Sequence, residues 1–210
     1  MGHVPHILID RPWSGDRLQV VPEQRDHLER VLRMTGGEPI GYTDGMGLLG
    51  SGSYREGWVD RGEESDIPPP SDLVVVAAPP ASRDRLRFMV EKLAEMGVSR
   101  LRFLDSAYGQ GRLPSGDKMR AWAVSAMEQS RGSWLMRLDD GLTKLADLER
   151  PFAVCDPSGA REVPDVRIVV VGPEGGWAPD EIPGDALRLA LGATILRVET
   201  AAIVAAARMV

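Results

Sequence analysis

A chain of 210 residues allows one large domain or two small ones, and 43% hydrophobic, 27% charged and 5% aromatic residues is an ordinary globular composition. No run approaches the ~18 apolar residues of a membrane span, and MGHVPHILIDRPWSGD lacks the basic-then-apolar order of a secretory signal, so a cytoplasmic protein without membrane contact is expected. Cys155 is the single cysteine and two of the three histidines (His3, His6) sit near the start, which excludes an internal disulfide and leaves no expectation of a bound metal. The net charge of −6 argues against a polyanionic partner, but it is unevenly spread. Residues 73–137 hold eleven Lys or Arg against six acids, a local net of +5, with acidic stretches on both sides. Solvated helix faces would account for any one of those charges; together they hint at a polyanion surface confined to the middle of the chain.

In chain order, the first elements read as short strands and turns. DGMGLLGSGSYREGWVD places five Gly in seventeen residues around Tyr54 and Trp58, the punctuation of a small barrel. Within it, VPEQRDHLERVLRM spaces Leu28, Val31 and Leu32 as one face of an amphipathic helix of about three turns, with Arg25, Arg30 and Arg33 on the others. The proline-rich GEESDIPPPSD reads as a linker. The expected division is residues 1–66, a linker at 67–72, and a second domain over 73–210.

After the linker, apolar runs alternate with helical periods. LVVVAAPP (73–80) reads as a buried strand and SRDRLRFMVEKLAEMG as a helix with Ser82 at its N-cap and Gly97 as its stop. RLRFLD (100–105) is a strand, SGDKMRAWAVSAMEQSR a helix. PFAVCDP, RIVVVGPEGG, LALG and ILRVE follow as strands, with a helix over APDEIPGDAL interrupted by Pro183, and TAAIVAAARMV closes the chain as a helix. This alternation predicts an α/β domain with a mostly parallel sheet.

Two Gly-bearing turns follow apolar strands near the C-terminus, where open α/β sheets bind ligands. Gly172-Pro173-Glu174-Gly175-Gly176-Trp177 is neither a phosphate loop nor a dinucleotide fingerprint, and Glu174 would repel a pyrophosphate, so a neutral or cationic ligand suits it better. A plain strand-to-helix turn would leave the same glycines. The second turn runs from Leu191-Gly192 through Ile195-Leu196-Arg197 to Glu199 and an Ala-rich helix, whose small side chains invite another backbone or subunit to pack close. Arg197 and Glu199 could equally form a surface ion pair worth under about 1 kcal/mol.

At this spacing, VGPEGGWAPDEI followed by LALGATILRVETA resembles the C-terminal half of the RsmE family of SPOUT-class RNA methyltransferases. His27-Leu28-Glu29-Arg30-Val31-Leu32-Arg33, VEKLAEMGV (90–98) and AMEQSRG (126–132) resemble further segments of that family, so the similarity covers nearly the whole chain. The resemblance implies a PUA-like β-barrel for RNA recognition, then an α/β domain with a C-terminal trefoil knot. It also implies a homodimer, S-adenosylmethionine as cofactor, and as substrate N3 of a uridine in 16S ribosomal RNA within the small subunit. The implied cofactor residues are Asp156, Pro157, Gly172, Pro173, Glu174, Gly175, Gly176, Leu191, Gly192, Ile195, Leu196 and Arg197. Arg197 is the candidate for stabilising charge on the uracil oxygens, and Glu199 is either the base or a carboxylate that orients Arg197. Candidate RNA contacts are Arg25, Arg30, Arg33, Arg112 and Arg131; Arg112 lies in a loop, Asp105–Arg112, that departs from the family's usual sequence. A different target such as a ribose 2′-hydroxyl, a non-catalytic RNA-binding protein, and a nucleotide-binding α/β protein are the rival readings.

Overall fold

The computed structural model describes residues 4–210, so His3 lies outside the described residues. The chain divides into two compact units, residues 1–69 with 127–135, and residues 70–126 with 136–210. Inclusion of residues 127–135 in the first unit has no signature in local composition.

The first unit is a mixed five-stranded sheet built from β1 (His6–Leu8), β2 (Arg17–Gln19), β3 (Pro39–Thr43), β4 (Leu48–Arg55) and β5 (Trp58–Asp66), in the order β1-β3-β4-β5-β2. Only β1 with β3 is parallel; the other pairs are antiparallel. Its core gathers Ile7, Leu18, Leu28, Ile40, Tyr42, Tyr54 and Val59. The 127–135 segment is tied in by long-range hydrogen bonds: the Leu8 N–H donates to Glu128 Oε1 at 2.8 Å, and Thr43 Oγ1 donates to the Ser133 carbonyl at 3.2 Å. His6, close to the start of the chain, is buried in β1 with Nε2 3.0 Å from the Gly132 carbonyl oxygen, and burial lowers its pKa below the ordinary histidine value.

The amphipathic helix expected over residues 21–34 is corrected. Helix α1 covers only Pro22–Asp26 and passes into a π-helical turn, His27–Val31, in which the Leu32 N–H bonds the His27 carbonyl. Widening the turn rotates the face, so Leu28 alone is buried while Val31 is 61% and Leu32 42% exposed.

The second unit is a six-stranded, all-parallel sheet in the order β11-β9-β10-β6-β7-β8. Its strands are β6 (Val74–Ala77), β7 (Arg100–Asp105), β8 (Arg137–Lys144), β9 (Ala153–Ala160), β10 (Ile168–Val171) and β11 (Leu187–Leu189). The β-branched run of β10 is buried along its whole length at the centre, as a parallel sheet covered on both faces requires. Helix α2 (Arg83–Glu95) buries Leu86, Met89, Val90 and Leu93 at helical spacing, each worth about 1.5–3 kcal/mol against exposure. Ser82 occupies its N-cap without a side-chain cap bond, and Gly97 (φ +76°) ends it. Helix α3 spans Gly116–Ser130 and α4 spans Val198–Met209.

Several expectations for the C-terminal third are overturned. APDEIPGDAL forms turns rather than a helix, because Pro183 removes an N–H and Gly184 follows it. ILRVE is no strand: residues 195–197 are irregular and Val198 already begins α4. The Ala face of α4 (Ala201, Ala202, Ala205, Ala206), by contrast, packs close as expected, on α2, β6 and β10 of the same chain, the first of the two alternatives its small side chains offered. The strand over PFAVCDP does not end at Asp156 and Pro157; β9 continues to Ala160 through a register shift against β11. Among the described residues no helix is long and apolar enough to cross a membrane.

Candidate active site

The irregularity in β9 makes the site. β10 pairs with β9 only through Val169–Ala153 and Val170–Val154, and β11 pairs with Val154 and then with Ala160, so Cys155–Gly159 bulge away from both neighbours. Where the strands part, a cleft of about 380 Å³ opens, walled by this bulge, by the turn after β10 and by the segment between β11 and α4. Eleven of the twelve residues expected to hold a cofactor line it: Asp156 and Pro157; Gly172, Pro173, Glu174, Gly175 and Gly176; Leu191, Gly192, Ile195 and Leu196. Arg197, the twelfth, does not. Cys155, Trp177, Thr194 and Val198 line it too and had no signal in the sequence beyond proximity to the turns.

The glycines are used individually. Gly172 lies under the Trp177 indole, where a Cβ would come within 2.5 Å of the ring, so a side chain there would displace the wall. Gly176 has φ +78°, a left-handed conformation that L side chains avoid. Gly192 has ordinary φ and nothing within 4 Å of a built Cβ.

The lining contains two carboxylates, Asp156 and Glu174, and no lysine or arginine. Each carboxylate is held by an arginine outside the lining, Asp156 by Arg188 and Glu174 by Arg85. The Ser158 hydroxyl, donating to Asp156 Oδ1 at 2.6 Å, does most to hold the Asp156 pKa below the usual carboxylate range, with the Ser158 N–H and Arg188 adding to it. Burial pushes the Cys155 thiol up to about 12, so it stays protonated and is no nucleophile at neutral pH.

Glu199 is 6% exposed in the first turn of α4 and is absent from the cleft lining. Its Oε2, buried and without a hydrogen bond, lies 3.8 Å from Arg85 Nη1, the same nitrogen that binds Glu174. It therefore pairs with neither Arg197 nor a reacting group at the cleft wall; it faces a guanidinium from α2 that ties the glycine turn to α4. Arg85 escaped sequence reasoning because a polar residue in the first turn of a helix has no periodic signature. Arg197 is exposed at the N-cap of α4, and its guanidinium makes no hydrogen bond or ion pair among the described residues.

The candidate RNA contacts are not alike. Arg25 is spent on Glu29 (3.0 Å) and Arg30 on Asp26 (2.6 Å), each one helical turn away. Arg33 (φ +58°) has no partner among the described residues. Arg131 donates to the Val4 carbonyl at 3.3 Å and lines a cavity of about 300 Å³ in the first unit with His6, Ser51, Glu63 and Ser65. Arg112 lies in the second unit, unpaired, in a groove with Arg83 and Lys118.

The comparisons with known proteins agree with one another. Small-subunit ribosomal RNA methyltransferase E of Mycobacterium bovis is 29% identical, over 92% of this chain and 86% of its own length. A solved structure from Legionella pneumophila, in complex with bound S-adenosylmethionine, superposes with a TM-score of 0.85 at 22% identity, covering 99% of this chain and 97% of that one. The small-subunit methyltransferase E of Neisseria gonorrhoeae, bound to S-adenosylmethionine, gives a TM-score of 0.83 at 24% identity, over 99% of this chain and 97% of its own. These two structures share the fold. The profile of the RNA methyltransferase domain family matches residues 68–210, about two thirds of the chain, and the chain belongs to that family.

Proposed function

We propose that the chain transfers a methyl group from S-adenosylmethionine to N3 of a uridine in 16S ribosomal RNA, acting in the cytoplasm on the small ribosomal subunit. The observation that carries this reading is the cleft, with apolar walls from Trp177, Leu191, Ile195 and Leu196, two carboxylates, and no cationic side chain. A ligand with phosphates would want the reverse lining. A sulfonium and an amino group suit this one, and the open space above Gly192 gives an adenosine room. The name of the M. bovis relative and the cofactor of the two structural neighbours support the same reading. The SPOUT-type trefoil knot and the PUA-like character of residues 1–66 belong to it, on the strength of the sequence resemblance. So does a homodimer, whose partner would cover Ile195, 90% exposed at the lip of the cleft.

When bound, S-adenosylmethionine supplies an electrophilic methyl group on a sulfonium. The chain's own residues then have three tasks. The backbone of Gly172–Gly176 and Leu191–Leu196 holds the cofactor, while Arg85, bound to Glu174 and facing Glu199, fixes the first of those turns against α4. Uracil N3 must lose its imide proton to become nucleophilic, and the charge spreads to the flanking ring oxygens. Arg197, between the lining residues Leu196 and Val198 and unpaired, offers its guanidinium fork to those oxygens, which lowers the proton affinity of N3 and lets solvent take the proton. Glu199 acts as a positioning carboxylate rather than as the base.

Calorimetric titration with S-adenosylmethionine, NAD and ATP tests the cofactor assignment, with only the first expected to bind. Single-turnover kinetics at saturating RNA and cofactor tests Arg197. Arg197→Lys should slow methyl transfer at least tenfold, because a point charge lacks the fork. A rate within about twofold of wild type, ~0.4 kcal/mol, would remove Arg197 from the chemistry.

A further inference from the structure

Next to the cleft, the second unit carries a groove of about 550 Å³ lined by Arg83, Arg112 and Lys118 together with Gln110 and Ser115, with no carboxylate in the lining. None of the three cations makes an ion pair or a side-chain hydrogen bond among the described residues. Three other arginines of the same unit are neutralised: Arg87 by Glu91 at 2.7 Å, Arg100 by Asp139 at 2.6 Å, and Arg85 by Glu174. Three like charges brought together without counter-charge repel one another, and an arriving polyanion relieves that repulsion. The amide of Gln110 and the hydroxyl of Ser115 add neutral donors among them.

The groove leads to the cleft. It shares Ala81 and Gln110 with a middle cavity of about 250 Å³, and that cavity shares Pro173, Glu174 and Gly175 with the cleft. Tyr108, 49% exposed, lines the middle cavity and presents a ring on which a base can stack. The loop that carries Tyr108 and Arg112 is held at several points. The Ala107 N–H donates to Glu181 Oε1 at 3.1 Å, and the same carboxylate accepts the Ala178 N–H at 2.8 Å through Oε2. Gly111 packs so closely on the end of β6 that a Cβ would lie 2.0 Å from the Pro79 carbonyl oxygen. Arg112 sits on this held loop, and Arg83 and Lys118 on helices α2 and α3, so the backbone positions of all three cations are set before a ligand arrives, which lowers the ordering cost of binding.

We infer that the Arg83–Arg112–Lys118 groove seats the sugar–phosphate backbone of single-stranded RNA flanking the methylated nucleotide, with Tyr108 stacking the base between groove and cleft. Single-stranded rather than paired RNA follows from the ring and from the reaction, since a base reaches a cleft of this size only when it is out of its stack. This deepens the proposed methyltransferase reading and rests on it for the nature of the strand.

The probe is an oligouridine of about twelve nucleotides, with a fully paired RNA duplex of equal length as competitor. Affinity for the single strand is measured against salt for the wild type, for Arg83→Gln, Lys118→Gln and the double variant, and for Arg83→Lys. Each lost cation should weaken binding on the order of tenfold at low salt. It should also flatten the slope of log affinity against log salt by about 0.7, while Arg83→Lys keeps the slope. Tyr108→Ala should weaken binding without changing the slope. S-adenosylmethionine affinity, read in parallel by calorimetry, should be unchanged in every variant and reports that the fold is intact. Unchanged affinity and slope in the double variant would overturn the groove assignment even if the wild type methylates RNA. Equal binding of the duplex would overturn its single-stranded character. A wild type that binds oligouridine through these cations yet binds no S-adenosylmethionine would keep the groove and sink the methyltransferase reading instead.

Discussion

The cleft and the groove beside it share an intermediate cavity and have opposite electrostatic designs. In the cleft, carboxylates face the ligand space and their arginine partners, Arg85 and Arg188, stand outside the lining. In the groove, arginine and lysine face the ligand space and no acid stands with them. The chain's net charge of −6 predicts neither. What matters is whether a charge at the wall is already matched, and the helix around Arg25 and Arg30 makes the same point, because its cations are consumed by Glu29 and Asp26. A sulfonium cofactor on one side and a polyanion on the other is the pairing that satisfies both walls.

Removing a partner from behind the cleft should have the largest effect. Arg85→Gln leaves Glu199 buried with no counter-charge and frees Glu174, which should destabilise the second unit by about 3 kcal/mol in chemical denaturation. Adding Glu199→Gln should recover much of that loss, so a double-mutant cycle with additive effects would break the proposed coupling. Filling the cleft comes next. Gly192→Val projects into open space from a backbone that tolerates it, so S-adenosylmethionine affinity should fall on the order of a hundredfold with stability within about 0.5 kcal/mol of wild type. The same change at Gly176 would confound the two, because a β-branched residue at φ +78° strains the turn itself.

A smaller effect sharpens the electrostatic side. Asp156→Asn should weaken cofactor binding about tenfold, as loss of one partly screened ionic contact would. Because the folded Asp156 pKa lies below its unfolded value, the wild-type carboxylate stays ionised through pH 8 to about 5. Its contribution to stability is present above the unfolded value near 4 and is lost as pH falls through the lower folded one. Cofactor affinity measured across that range should be flat; a fall beginning near pH 6 would assign binding to another group. The smallest effect is on Cys155. With its thiol pushed up to about 12, alkylation at pH 8 should be far slower than for a free thiol, and slower again with S-adenosylmethionine present.

Much of this was readable in the sequence where period or punctuation carried it. The buried run of β6 and β10, the helical spacing of α2 and the two glycine turns were all legible, and the turns converge on one cleft. Three things were not. The π-turn at His27–Val31 hid behind an ideal apolar spacing, since i, i+3, i+4 says nothing about the width of the turn that carries it. The bulge at Cys155–Gly159, which opens the cleft, depends on how β11 pairs across from β9, a non-local fact. Glu199 was read beside Arg197, its neighbour in sequence, whereas its counter-charge is Arg85, more than a hundred residues earlier. Short-range spacing identifies which residues share an element and is silent about which charges share a site.

The central claim is that the acidic-lined cleft presents a methyl donor to a uracil ring. Its most direct test is incubation of under-modified small ribosomal subunits with the chain and isotopically labelled S-adenosylmethionine, followed by nuclease digestion and mass spectrometry of the labelled nucleoside. The account predicts one labelled product, a uridine methylated on the base at N3, which Gly192→Val abolishes. Label on a ribose, label on another base, or no label with an intact cofactor complex would contradict it.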